Sequence, residues 1–196
     1  LPTMRAGLIA VQTGLANANA RWCNVNYLNF ESTAAKHIHV LGDSIQIAPG
    51  MPKSGHMANS HAKVVAAAIV AELAGWEINP APMLTNTCYS FTDAKNVIHV
   101  ASVHEYVAAE KTFKTVAGSG GVSAGPSEQE GSYAWNWARS IWADTLLGSD
   151  GARASALAHH GCGGHQFVEQ GDRDLAADGV RVELGALRVL QQQGRV

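Results

Sequence analysis

The amino-acid sequence predicts an α/β fold, and three stretches carry the prediction. Ile38-His39-Val40-Leu41 is a short apolar β run that stops at Gly42-Asp43. A long Ala- and Val-rich helix follows, over about residues 57–74. Three β-forming segments and a Trp-rich helix then fill residues 87–147. A strand that ends in Gly-Asp ahead of a helix is an α/β loop signature, because ligands sit off the carboxyl ends of such strands.

Each element has a local reason. Residues 5–13 form a short helix that ends near Gly14. Residues 25–30 alternate weakly and read as a strand. Pro49-Gly50-Met51-Pro52-Lys53-Ser54-Gly55 is a turn-rich loop. The helix after it stops at Gly75. Its apolar residues surround nearly the whole circumference, which predicts burial on all sides. Residues 76–82 carry two prolines and mark a boundary between a first domain, 1–80, and a second, 83–148. Residues 87–91, 97–103 and 107–116 read as strands of an antiparallel meander. Residues 118–125 form a loop, and residues 128–147 a helix carrying Trp135, Trp137 and Trp142.

The remaining residues, 149–196, are different material. All six lysines lie at or before Lys114, whereas five of the eight arginines lie at or after Arg153. Of the 13 aromatic residues only Phe167 falls beyond Gly148. This tail is expected to lie outside the fold that precedes it, and a frameshifted read-through of GC-rich DNA would produce such a composition.

Composition excludes several function classes. Charged residues make up 15% of the 196, against about 25% in a typical soluble domain. A net charge of −2 with no basic stripe argues against a nucleic-acid binder. No polybasic run offers a membrane tether. The most apolar stretch, 64–73, is shorter than the ~20 residues that cross a bilayer. A mean hydropathy of −0.03 does not fit a disordered chain. The chain starts at Leu1 without a signal-peptide pattern, which marks it as a processed product or a piece of something larger. Three cysteines, Cys23, Cys88 and Cys162, without a CxxC exclude a disulfide-dense scaffold and a zinc ribbon. They leave open one pair plus a spare, or three thiols.

Three constellations carry possible chemistry. An Asp at a strand end, such as Asp43, can accept a hydrogen bond from a ribose or ribityl hydroxyl. The helix that follows presents free N–H groups and a partial positive charge to an anion, and Lys53 adds a full charge. The same residues also fit an ordinary βα turn with a solvated lysine. In Asn86-Thr87-Cys88-Tyr89-Ser90, the cysteine is a candidate redox thiol if its surroundings stabilise a thiolate, and otherwise a buried inert cysteine. His159-His160-Gly161-Cys162-Gly163-Gly164-His165 invites a metal reading, but a Gly-rich linker supplies neither preorganised ligands nor a second shell. The sequence has no GxSxG, P-loop, HExxH or GxGxxG; Gly118-Ser119-Gly120-Gly121 has the wrong spacing for the last.

Several motifs in one order resemble a known family. His39-Val40-Leu41-Gly42-Asp43, Met51-Pro52-Lys53-Ser54-Gly55, Ala58-Asn59-Ser60, Ala62-Lys63-Val64 and Asn86-Thr87-Cys88-Tyr89-Ser90 are similar to the carboxyl-terminal part of the flavoprotein subunit of flavocytochrome c sulfide dehydrogenase. That family belongs to the FAD-dependent pyridine nucleotide–disulfide oxidoreductases. The resemblance spans about residues 4–148 and includes Gly118-Ser119-Gly120-Gly121-Val122-Ser123 and the Trp-rich helix. It implies a partial FAD/NAD(P)-binding Rossmann-like domain followed by a small α+β flavin-covering domain.

The resemblance also implies roles. Gly42 and Asp43 would serve the FAD ribityl chain, and Met51, Pro52, Lys53 and Ser54 would face the flavin pyrimidine edge. Cys88 would belong to a redox-active disulfide, and Trp137 would line the flavin. Hydrosulfide would attack that disulfide by thiol–disulfide exchange, giving a persulfide and a thiolate. The electrons would pass to FAD and then to a c-type cytochrome partner, in the bacterial periplasm. The family's pyrophosphate motif and the disulfide partner of Cys88 are expected in an amino-terminal half absent from this sequence; Cys23 matches a different family position. Two rival readings are a sulfide:quinone oxidoreductase-like flavoenzyme and a non-catalytic docking module.

Overall fold

A computed structural model describes residues 4–147. Residues 4–134 belong to one compact unit and residues 135–147 to a second. The histidine-rich segment 159–165 and the rest of the tail lie outside the described residues.

The first unit begins with helix α1, Leu8–Gln12, shorter than the helix expected over 5–13. The strand expected over 25–30 is a tight hairpin instead. Strands β1, Val25–Asn26, and β2, Glu31–Ser32, pair antiparallel. The chain turns back between them through Phe30 at φ +60°. The apolar run 38–41 forms no strand either. It makes one bridge, Glu31 to His39, and leads into a 3-10 turn over Gly42–Ser44. A strand needs a ladder to join, and this run finds only the short hairpin. The described strands pair antiparallel throughout, and the parallel contact between Cys23 and Ile45 is an isolated bridge. The mixed α/β character holds; the Rossmann-like part of the expectation has no parallel sheet among these residues.

Helix α2, Gly55–Ala74, is close to its expected span. Ser54 caps it, accepting from Met57 N–H, and Gly75 ends it in the left-handed region at φ +69°. Trp76 N–H closes the last turn on Ala71 O at 2.8 Å. Burial on all sides is not what the helix shows. Met57, His61, Val64, Ala68 and Ala71 follow a three-and-four spacing along one buried face. Ala62, Ala66 and Leu73 are exposed on the other. Alanines and valines are apolar on every side, so the stripe was hidden by composition.

The meander is present. Strands β3, Met83–Phe91, β4, Val97–Val107, and β5, Thr112–Thr115, pair antiparallel in that order. A short β6, Gly121–Val122, lies inside the expected 118–125 loop and pairs with β4. Helix α3 runs over Glu128–Trp142 and ends in a π-helical turn, Ala143–Leu147.

The core joins α2 to the sheet. Phe30, Ile45, Met51, Met57, Val64, Val65, Leu84 and Phe113 form one buried cluster. Phe30 stacks on Phe113 at 6.2 Å and on the His61 ring at 4.5 Å. Strand β3 is an edge strand, and α2 covers its outer polar groups. His56 Nδ1 accepts from Thr87 N–H at 2.9 Å, and the Ser60 hydroxyl donates to Thr85 O at 3.0 Å. Two side chains one helical turn apart thus satisfy two outward backbone groups and block pairing with another chain.

Candidate functional site

The site is assembled where the amino end of α2 meets β3. Residues two apart on a strand share a face, so Asn86 and Cys88 point the same way. Asn86 is buried and Cys88 half-buried. Ser54, already the cap of α2, hydrogen-bonds Asn86 Oδ1 through its hydroxyl. Asn86 Nδ2 lies 3.6 Å from Cys88 Sγ. The sequence-predicted Ser54 and Cys88 are therefore joined through one side chain, Asn86. In front of the helix end, a side chain at Gly55 would meet nothing within 4 Å, so this end opens outward.

Register places an apolar strip beside the thiol. Cys88 is opposite Val100, and Val100 is opposite Val122. Directly opposed residues share a face, so the three line up across β3, β4 and β6. Val100 is 46% and Val122 69% exposed. A thiol flanked by exposed valines, with a helix amino terminus at its edge, suits a flat ring that is apolar on its faces and electron-rich at one edge.

Gly42 and Asp43 occupy the 3-10 turn. Gly42 is buried at φ +68°, and a Cβ there would sit 3.2 Å from Ala58 Cβ. Its N–H donates to His61 Nδ1 at 3.1 Å. The Asp43 side chain is exposed. Met51 is a core residue, with its side chain in the cluster around Phe30, and Pro52 is half-buried. Lys53 does not reach outward as a free charge. Its ammonium donates to Asp43 O at 2.5 Å and Ile45 O at 2.8 Å and lies 3.8 Å from the Trp22 ring centre. Burial lowers its pKa, opposed by the Asp43 carboxylate and by Cys23. Lys53 thus fastens the 3-10 turn to the loop before α2. Trp137 lies in the second unit, within α3, and is half-buried.

The two described cysteines are free thiols. Cys23 is fully buried, and desolvation raises its pKa, with Lys53 opposing. Cys88 is the accessible one.

Sequence reasoning missed four groups. Asn86 stands out in the sequence only as a neighbour of Cys88, although the two-residue strand period puts both on one face. His56 and Ser60 were missed as edge caps. His61 was missed as a core residue, and burial holds its pKa at about 4, with His104 and Lys53 adding to the effect. The fourth is a cluster of Ser123, His99 and Glu130. Ser123 donates to Glu130 Oε2 at 2.6 Å, and His99 Nδ1 lies 2.8 Å from the same oxygen. Ser123 Oγ also sits 3.0 Å from His99 Nδ1. Both partners address one ring nitrogen. A Ser-His-acid relay requires the serine on the other, so this cluster is a tie between β4 and the start of α3.

Residues 80–146 match the model of a family described as flavocytochrome c sulphide dehydrogenase, flavin-binding. This segment is similar to the flavin-binding domain of that family. The match includes β3, the whole meander, Asn86, Cys88 and α3. The match supports a flavin-binding role for this segment, with FAD as cofactor. No helix among the described residues is long and apolar enough to cross a membrane.

Proposed function

We propose that the chain is part of a sulfide-oxidising flavoprotein in which Cys88 performs the sulfur chemistry beside FAD, with electrons passed to a c-type cytochrome in the periplasm. The observation that carries this reading is the placement of an accessible thiol on an exposed apolar strip, tied through Asn86 to the amino end of α2.

Each residue has a part in it. The α2 amino terminus offers its partial positive charge to electron density that builds up beside it. Lys53 holds the loop Met51–Ser54 in place from below, through Asp43 O and Ile45 O. Val100 and Val122 supply an apolar seat that excludes water from the sulfur. FAD, when bound, supplies a two-electron acceptor. Cys88 acts paired with a second cysteine. Hydrosulfide attacks one sulfur of that disulfide, the S–S bond breaks, a persulfide S–S bond forms, and the other sulfur leaves as a thiolate holding the electron pair. The oxidising periplasm is a compartment in which such a disulfide persists.

The test uses FAD in large excess, anaerobic sulfide, and loss of flavin absorbance as the readout. The chain, with Cys88 first converted to a mixed disulfide by a small aliphatic disulfide that stands in for the second cysteine, is expected to bleach the flavin faster than free FAD with sulfide, and then to reduce added cytochrome c. Cys88→Ser is expected to fall to the rate of free FAD. Equal rates for wild type and Cys88→Ser overturn the reading. Reduction of a quinone but not of cytochrome c moves the assignment to the quinone-coupled rival.

A further inference from the structure

The polar chain between α2 and Cys88 has a direction. Met57 N–H donates to Ser54 Oγ at 3.0 Å, so the Ser54 hydroxyl gives its own proton onward. Asn86 Oδ1 takes that proton. Cys88 Sγ lies 3.7 Å from Oδ1 and 3.6 Å from Nδ2, so the neutral thiol can donate to the oxygen, whereas the thiolate, with no proton to give, can only accept from the amide nitrogen. Once the thiol has lost its proton, every donor in the series points toward the sulfur.

The residue type is also informative. Asparagine is disfavoured within strands, and its amide is costly to bury without partners. Yet Asn86 sits in the middle of β3 at 3% exposure, opposite Ser102. Packing alone would be served by a β-branched residue. What asparagine adds is an acceptor for Ser54 and a donor for Cys88 on one rigid plane.

We propose that Asn86 is a positioning residue for the Cys88 thiolate. It relays the hydrogen-bond polarity of the α2 amino terminus, through Ser54, to the sulfur. Aligned donors polarise one another, and a donor aimed at sulfur favours its charged, nucleophilic form. The proposal deepens the function above and rests on Cys88 being the reacting thiol.

The test needs neither FAD nor sulfide, so it fails or succeeds separately from that reading. The full chain is pulse-alkylated with iodoacetamide between about pH 6 and about pH 9.5, and each cysteine is followed by peptide mass spectrometry. Asn86→Leu keeps the side-chain shape but removes the N–H donor without adding a charge beside the sulfur. Removing a donor to a charged group costs about tenfold in thiolate fraction, of which roughly half on a logarithmic scale is offset because a less stabilised thiolate is more nucleophilic. Cys88 alkylation is therefore expected to slow about threefold at the acid end and to converge with wild type, or overtake it, at the alkaline end. A packing role alone would not give that pH profile. Cys23, at 0% exposure, stays unreactive while the fold is intact. Ser54→Ala cuts the relay one step earlier and is expected to move Cys88 in the same direction by a smaller factor. A wild-type Cys88 profile in Asn86→Leu with Cys23 protected overturns the proposal. If Cys23 becomes reactive in that variant, an unchanged Cys88 profile in Ser54→Ala overturns it instead.

Discussion

His61 shows how one buried side chain sets a property of the whole fold. Its Nδ1 accepts from Gly42 N–H, so the neutral ring carries its proton on Nε2. That nitrogen is buried with no hydrogen-bond partner. Protonating Nδ1 would set two N–H groups against each other inside the core. The folded ring therefore titrates at about 4, against 6.5 for a free imidazole. Between these values the unfolded chain binds more protons, so His61's contribution to stability is complete above pH 6.5 and is lost as pH falls toward 4. Linkage puts the loss at about 3 kcal/mol. His56 and His104, also lowered by burial, tilt stability the same way. Urea unfolding at pH 7.5 and pH 5 is expected to give a steep pH dependence in wild type and a clearly shallower one in His61→Gln; equal slopes would remove His61 as the cause. None of this was legible in the sequence, where His61 is one histidine among nine. Cys88 was legible because a thiol is rare and its neighbours are motif-like. Lys53 was legible as a charge but not in its direction. The carbonyls that claim it belong to Asp43 and Ile45, brought back by a turn that pattern reading took for the end of a strand.

At the level of elements, agreement followed how local each element's determinants are. Helix α2 has its cap, its stop and its glycine-proline approach within its own neighbourhood, and its bounds were read to within two residues at the start. The meander was legible because its strands are neighbours in sequence as well as in space. The runs 25–30 and 38–41 carry strand-like residues but find only the two-residue β1–β2 ladder and an isolated bridge, so propensity lost to context. The docking of α3 depends on a contact that no pattern announces. Gly131 is buried over the β3–β4 connection, and a Cβ there would lie 2.2 Å from Lys95 O and 3.8 Å from Val97 Cγ2. The first of these is backbone and cannot swing away. Gly131→Ala is therefore expected to destabilise by about 3 kcal/mol, despite alanine's better helix propensity. In a chain of this size that lowers the melting temperature by about 10 °C. Ser132→Ala, one residue on and exposed, is expected to stay within about 0.5 kcal/mol of wild type. Calorimetry on the pair separates a steric cause from a general sensitivity of the helix.

Across the whole molecule, composition marked residues 149–196 as different from what precedes them, and the family match ends at residue 146. The same comparison makes FAD the cofactor, and the surface around Cys88 suits the flavin ring rather than the rest of the molecule. FAD also carries a pyrophosphate and an adenosine. Such groups are usually held by a glycine-rich turn opening onto a helix amino terminus, and the 196 residues contain no GxGxxG. The long helix of the first unit offers no substitute, because its amino end, beside Cys88, is the one assigned to the electron-rich edge of the ring. This chain is thus expected to hold FAD by its isoalloxazine side alone and to lose it on gel filtration. The sharper consequence is in the comparison of ligands. If the adenine and phosphates make no contacts, then riboflavin, FMN and FAD bind with dissociation constants within about threefold of one another, because each tenfold difference would need about 1.4 kcal/mol of further contact. ADP would then fail to compete with any of them. Flavin-fluorescence titration of the purified chain measures all four, and FAD binding ten times tighter than riboflavin, or yellow protein retained at one flavin per chain, would reveal a phosphate site on these residues.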